Sequence, residues 1–183
     1  MKIRWFILLF APCILFAWAW PRWAVADEQS AKEYEVKAAF IFKFAQFMEW
    51  PAAAFASDKD PIVVATFGED PFEGGLDRVM AGKSIGNRPV VVKHFGGADE
   101  ITRCHILFAA ASSSEDVAGV LHKWAKSPVM TIGDGDNFCQ EGGIIQFIIE
   151  DGKIHFEVNM EAEDQSGVKI SSRLLKLAKI YKP

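Results

Sequence analysis

The chain has 183 residues, 50% of them hydrophobic, and a formal net charge of −4. The acidic balance argues against nucleic acid as a partner, and it offers no basic surface excess for anionic lipid. Beyond its N-terminal stretch the chain fits one domain, and a chain of about 150 residues buries roughly 70% of its unfolded surface, enough for a core without staples.

The first 26 residues read as a cleavable signal peptide. Lys2 and Arg4 form a short positive region, and an apolar run follows from Trp5 to Trp20, interrupted by Pro12. Ala24 and Ala26 then stand at the small-residue positions before Asp27, which is the A-x-A pattern of a cleavage site. The apolar run is shorter than the ~20 residues of a spanning helix, and the residues before Cys13 do not form a lipobox. Cleavage removes Lys2, Arg4 and Arg22 from the 20 basic residues, so 17 remain against 24 acidic ones, a charge near −7.

Glu33 to Trp50 has the spacing of an amphipathic helix, with Val36, Ala39, Phe40, Phe44, Phe47 and Met48 on its apolar side, Ile41 and Phe42 widening the stripe, and Pro51 as its stop. Pro61 to Phe67 is a continuous apolar run, as in a strand of a parallel sheet buried on both faces. Phe72 to Ala81 reads as a short helix, Arg88 to Lys93 as a second strand, and Cys104 to Ala109 as a third. Ser112 to Glu115 resembles a helix N-terminus, followed by an inner face of Val117, Val120, Leu121 and Trp124. Pro128 to Ile132 is a fourth strand. Gly143 to Ile149 and Lys153 to Val158 flank Asp151-Gly152, a favoured hairpin pair. Val168 to Ile180 reads as a final helix, lined by Ile170, Leu174, Leu177 and Ala178. The fold class expected is therefore α/β: a mostly parallel sheet flanked by helices, with a C-terminal antiparallel hairpin and a final helix.

The chemistry-bearing motifs are incomplete. Gly82-Lys83-Ser84 lacks the earlier glycine of a phosphate loop, because Asp77 stands there. Asp134 to Asn137 starts like a calcium loop, but its twelfth position is Ile145. The four histidines, His94, His105, His122 and His155, contain no i, i+4 pair, and there is no G-x-S-x-G elbow. No catalytic residue, metal site or cofactor is expected. Loops at strand ends are where α/β folds hold ligands, which leaves Asp70, Asp134 and Asn159 as candidates for a small-ligand site.

Cys104 and Cys139 are the cysteines that follow the export segment, and an even count in an oxidising compartment invites a disulfide. Strand geometry opposes it. On adjacent parallel strands the two would lie at opposite ends, and six strand residues span roughly 20 Å, against about 7 Å for bridged Cα atoms. Two buried thiols are the expectation, with a bridge left open if the loop carrying Cys139 folds back.

Four segments resemble the YfiR/HmsC family of periplasmic regulators: Phe44 to Pro51; Gly68 to Phe72 with Gly82 to Ile85 and Arg88 to Val90; Cys104 to Phe108 with the serine run; and Gly142 to Ile145, Phe156 to Asn159 and Ile170 to Ala178. The resemblance implies a periplasmic repressor that binds the periplasmic portion of an inner-membrane diguanylate cyclase, lowering cyclic di-GMP and biofilm output. It also implies an outer-membrane lipoprotein as a second partner, a homodimer, and redox-sensitive thiols, although the partners of Cys104 and Cys139 are absent and Ala65 and Thr66 stand where one would be sought. Shifting a two-state enzyme from mostly on to mostly off takes about 5 kcal/mol of differential binding, which favours an apolar contact patch. Phe42, Phe47 and Trp50 are the candidates for it, against the alternative that they pack inward. A periplasmic small-ligand sensor is the second reading, and an enzyme the last.

Overall fold

The computed structural model describes residues 23–111 and 117–182. The apolar core of the expected export signal, residues 1–22, and the serine run from Ser112 to Glu115 therefore lie outside the described residues. The backbone of Ala24, Ala26 and Asp27 belongs to the first turns of helix α1, Trp23–Gln46.

Two sheets form. The large one contains β2 (Ile62–Phe67), β3 (Ser84–Ile85), β4 (Arg88–Phe95), β5 (Ile106–Ala109), β6 (Met130–Gly133), β7 (Ile145–Glu150), β8 (Lys153–Val158) and β10 (Lys179–Ile180). Its strand order is β10-β8-β7-β6-β5-β2-β4-β3. The centre, from β4 through β7, is parallel; β7 and β8 form the antiparallel hairpin. The small sheet pairs β1 (Met48–Glu49) with β9 (Lys169–Ile170). Helices α2 (Gly75–Met80), α3 (Val117–Trp124), α4 (Met160–Ser166) and α5 (Ser172–Leu175) complete the fold. The expected α/β class, with its mostly parallel sheet and terminal hairpin, is what the chain adopts.

The alternation of strand side chains builds two apolar layers. Ile62, Val64, Ile106, Phe108, Met130 and Ile132 face α1 and α2. Val63, Ala65, Phe67, Leu107 and Ala109 face α3, where Val120 and Leu121 cover them. Every residue of β2 is buried, so the continuous apolar run is the signature of a strand covered on both sides. On the first face the centre of packing is aromatic. The Phe44 ring lies 4.7 Å from Phe156 and 5.6 Å from Phe147, with Phe40 beside it at 5.7 Å.

Three expectations need correction. Helix α1 ends at Gln46 and does not run to Trp50, because Met48 and Glu49 pair with Ile170 and Lys169. Strand pairing with a distant segment overrides the local helical pattern before Pro51 can end it. The buried stripe of α1 keeps the expected Phe40, Ile41 and Phe44 but is rotated at its edge: Ala38 and Ala45 are in the core, whereas Val36 is 45% exposed and Ala39 is exposed. The final helix is one turn, Ser172–Leu175, and not Val168 to Ile180. Lys169 and Ile170 join β1, the Ser171 side chain caps the turn by accepting from the Arg173 N–H, and Lys179 and Ile180 pair parallel with β8. Ile170 and Leu174 are buried as the spacing requires, but Leu177 is 75% exposed.

Helix α4 was not anticipated, although its ends are marked in the sequence. Asn159 caps it by accepting from the Ala162 N–H, and Gly167 closes it at φ 77°. Its strongly polar composition masked it. Glu163 is nevertheless buried, and its carboxylate accepts from the Ile170 N–H at 2.9 Å.

Candidate functional site

In an open α/β sheet the ligand crevice lies where chain connections diverge, at the carboxyl ends of the strands. Here β2 lies between β4 and β5, so the divergence falls at β2 and β5. That crevice is filled by the protein's own side chains. Tyr34 of α1 packs edge-on against Phe72 at 5.4 Å, and Phe72 against Phe108 of β5 at 4.8 Å. Asp134, just after β6, accepts hydrogen bonds from the Tyr34 hydroxyl (2.8 Å), the Lys37 ammonium (2.6 Å) and the Ala111 N–H (2.6 Å). Lys37 is 3% exposed and is also paired with Glu33 at 2.5 Å. Burial and the Asp134 carboxylate push the Tyr34 phenol up in pKa, so it stays a donor. Helix α1 is thus pinned across the place where a nucleotide would sit in other folds of this class.

The three ligand candidates are not brought together. Asp70 accepts from the Phe72 and Gly74 N–H groups, both at 3.0 Å, and shapes the turn before α2. Asp134 holds α1. Asn159 caps α4 and donates from Nδ2 to the Cys139 carbonyl at 2.9 Å. Asp134 and Asn159 line different cavities.

The aromatic end of α1 is half-buried. Phe42, Phe47 and Trp50 all pack against the core layer. The Lys83 ammonium covers the Phe42 ring at 4.4 Å. The Trp50 indole donates to the His105 carbonyl at 3.2 Å. His105 itself is buried: its Nδ1 accepts from the Val63 N–H at 3.0 Å, its Nε2 lies 3.2 Å from the Ala54 carbonyl, and Phe55 stacks on its ring at 4.5 Å. Burial pushes its pKa down.

A polar chain missed in the sequence joins Thr66, His94 and Asp77. The Thr66 hydroxyl is 2.7 Å from His94 Nδ1, and His94 Nε2 is 2.8 Å from Asp77. Thr66 and His94 are register partners on β2 and β4, which no sequence spacing reveals. The three residue types are those of a nucleophile with its base, but Thr66 is 3% exposed, so its hydroxyl is closed to a substrate. The chain ties α2 to the sheet.

Both cysteines are free and buried. Burial pushes each thiol up to about 12, with the Glu157 charge adding to the effect at Cys139. Thiols of this kind are poor nucleophiles. The Cys139 loop does fold back, its N–H donating to the Gln146 side chain at 2.9 Å.

Apart from Val36 on α1, the exposed large apolar side chains among the described residues are elsewhere. Leu177 is 75% exposed, Ile149 57%, and Ile180 45%. Ile149 lies near the tip of the β7-β8 hairpin, Ile180 is on the edge strand β10, and Leu177 is in the turn that leads into β10, whose Lys179 ammonium reaches back to Glu150. From residue 165 to the end the chain has no acidic residue but carries Lys169, Arg173, Lys176, Lys179 and Lys182. The C-terminal segment of an acidic protein therefore combines exposed Leu177 and Ile180 with a run of basic residues, a feature the expected helix at Val168 to Ile180 concealed.

A mostly parallel sheet whose crevice is filled by the protein's own helix defines a small α/β protein. The YfiR/HmsC-like family model matches residues 34–179, so the chain belongs to that family. The family comprises periplasmic regulators of diguanylate cyclase signalling, acts through protein–protein contact with periplasmic regions of signalling proteins, and is regulatory rather than catalytic. Among solved structures, a conserved domain protein from Vibrio cholerae O1 biovar El Tor strain N16961 matches with a TM-score of 0.54 at 11% identity. The match covers 81% of this chain and 60% of that one, and at this identity it speaks for the fold alone. No helix among the described residues is long and apolar enough to cross a membrane.

Proposed function

We propose that this protein is exported by cleavage after Ala26 and represses an inner-membrane diguanylate cyclase by binding its periplasmic portion. Family membership across residues 34–179 is the observation that carries the reading. The surface chemistry supports it. A repressor must bind the inactive conformation of its target more tightly than the active one, and buried apolar area supplies most of such a differential. Leu177, Ile180 and Ile149 offer that area. Phe42, Phe47 and Trp50 spend most of theirs inside the protein, so the contact surface centres on the β10 edge, and the neighbouring lysines favour an acidic face on the partner. Competition for the same edge gives a simple route by which an outer-membrane lipoprotein, or a second copy of this chain, relieves repression.

Deleting the gene and measuring cyclic di-GMP tests the reading. Cyclic di-GMP rises on deletion and returns on complementation, and the periplasmic portion of the cyclase co-purifies with the exported protein. Unchanged cyclic di-GMP sinks the proposal.

A further inference from the structure

The chain between β1 and β2, residues 51–60, crosses the amino end of the sheet as a strap that buries little of itself. None of Ala52–Ala54, its 3-10 turn, is buried. It is fastened by contacts to His105, just before β5, and to two arginines. Phe55 stacks on the His105 ring at 4.5 Å, the Ala54 carbonyl is 3.2 Å from His105 Nε2, and the Trp50 indole, at the head of the strap, donates to the His105 carbonyl at 3.2 Å. Arg103 donates to the Ala54 carbonyl at 3.0 Å, and Arg88 donates to the Ser57 and Asp60 carbonyls at 2.7 and 3.0 Å.

These partners fix the charge of the ring. A backbone N–H can only donate, so His105 Nδ1, 3.0 Å from the Val63 N–H, carries no proton. A carbonyl can only accept, so the proton sits on Nε2, facing Ala54. A second proton, at Nδ1, would set two donors against each other with no acceptor between them. The charged groups acting on the ring divide: Arg103 and Arg88 oppose a cation, and Asp60 favours one. Asp60 does not itself titrate in mild acid, because hydrogen bonds from Ser57 and the Ala56 N–H hold its carboxyl below the usual range. We propose that His105 is an acid-operated latch: protonation at Nδ1 breaks the bond to Val63, the ring leaves the Phe55 stack, and residues 51–56 lift from the amino end of the sheet. Arg88 keeps its hold on Ser57 and Asp60, so the opening is local and the core stays folded. Burial sets the pH window, since it lowers the pKa of the ring and delays release until the medium is more acidic than the usual histidine value. The latch goes beyond the regulatory reading and does not rest on it.

Hydrogen exchange and NMR of the ¹⁵N-labelled protein between pH 7.5 and pH 5 test the latch. Protection of the Val63 N–H, corrected for the intrinsic exchange rate, falls toward tenfold per pH unit below about pH 6.5. The Trp50 indole signal, identified by its loss in Trp50→Phe, shifts over the same range. Protection of Leu107, 1% exposed in β5, stays constant. His105→Gln removes the acid response at both Val63 and Trp50. Should that variant fail to fold, the ring ¹⁵N signals of His105 in the natural chain give its protonation midpoint, which coincides with the midpoint of the Trp50 shift. Val63 protection that holds to pH 5 overturns the proposal, as does an unchanged acid response in His105→Gln or a mismatch of the two midpoints. Loss of Leu107 protection in step with Val63 also overturns it, because the opening is then global. Cyclic di-GMP is not read in this experiment, so its outcome is independent of the repressor reading.

Discussion

The Lys37 ammonium lies 2.6 Å from the Asp134 carboxylate, with both side chains 4% exposed. This pair joins α1 to the end of β6 and closes the crevice. Removing one member of a buried pair strands the other charge, at about 3–5 kcal/mol. Asp134→Ala falls in that range, because Tyr34 and the Ala111 N–H lose their acceptor as well. Lys37→Met combined with Asp134→Asn is destabilised by at least about 1 kcal/mol less than the two single variants added together. Urea titration of the three variants measures this; strict additivity would contradict the pairing.

Phe138 is wedged between two glycines. A Cβ on Gly133 would come within 2.3 Å of its ring, and one on Gly143 within 2.1 Å. Gly133→Ala therefore overpacks the core, at about 1–3 kcal/mol. Phe138→Leu in the same chain recovers part of that loss, which thermal melts of the double variant detect.

His105 is held neutral. Its Nδ1 accepts a hydrogen bond and burial lowers its pKa below the usual 6.5. Its contribution is thus fully present above pH 6.5 and is lost as the pH falls through the lowered folded value. His105→Gln is expected to be less stable than the natural chain at pH 7.5, with the gap narrowing toward pH 5. A gap that widens on acidification would show that His105 is charged in the fold.

Cys104 and Cys139 are predicted to be slow to react. Both are buried, with thiols pushed up to about 12. At pH 8 iodoacetamide alkylates them at least about 100-fold more slowly in the native protein than in urea, since the reagent waits for opening of the fold. A reductant leaves the Tm unchanged. Rapid native labelling at either position would argue for a redox role.

Leu177→Asp separates binding from folding. At 75% exposure the change shifts stability by no more than about 0.5 kcal/mol. Co-purification of the cyclase portion and repression of cyclic di-GMP are both lost. Phe47→Ser shows the opposite balance, with stability falling first, because Phe47 packs against the core. Full repression by a folded Leu177→Asp protein would move the contact surface elsewhere.

The sheet was legible in the sequence because burial on two faces leaves a local trace. Ile62 to Phe67 and Ile106 to Ala109 are unbroken apolar runs, and Asp151-Gly152 marks its hairpin without reference to the rest of the chain. The family likeness was legible for the same reason, as motifs in a fixed order. The candidate site was legible only in part. Asp70, Asp134 and Asn159 were recognised as residues at strand ends, but each serves the protein's own backbone or α1.

Local composition by itself determined the α/β class, the central strands and the hairpin. It did so because apolar periodicity is a property of neighbouring residues. Pairing between distant segments belongs to the tertiary structure alone. Met48 finding Ile170 shortens α1, and the same pairing breaks the C-terminal helix. Lys179 and Ile180 finding β8 then leaves Leu177 in solvent beside a row of lysines. The rotation of α1 that buries Lys37 against Asp134 is decided in the same way, by a carboxylate 97 residues away in sequence, beyond the reach of any local pattern.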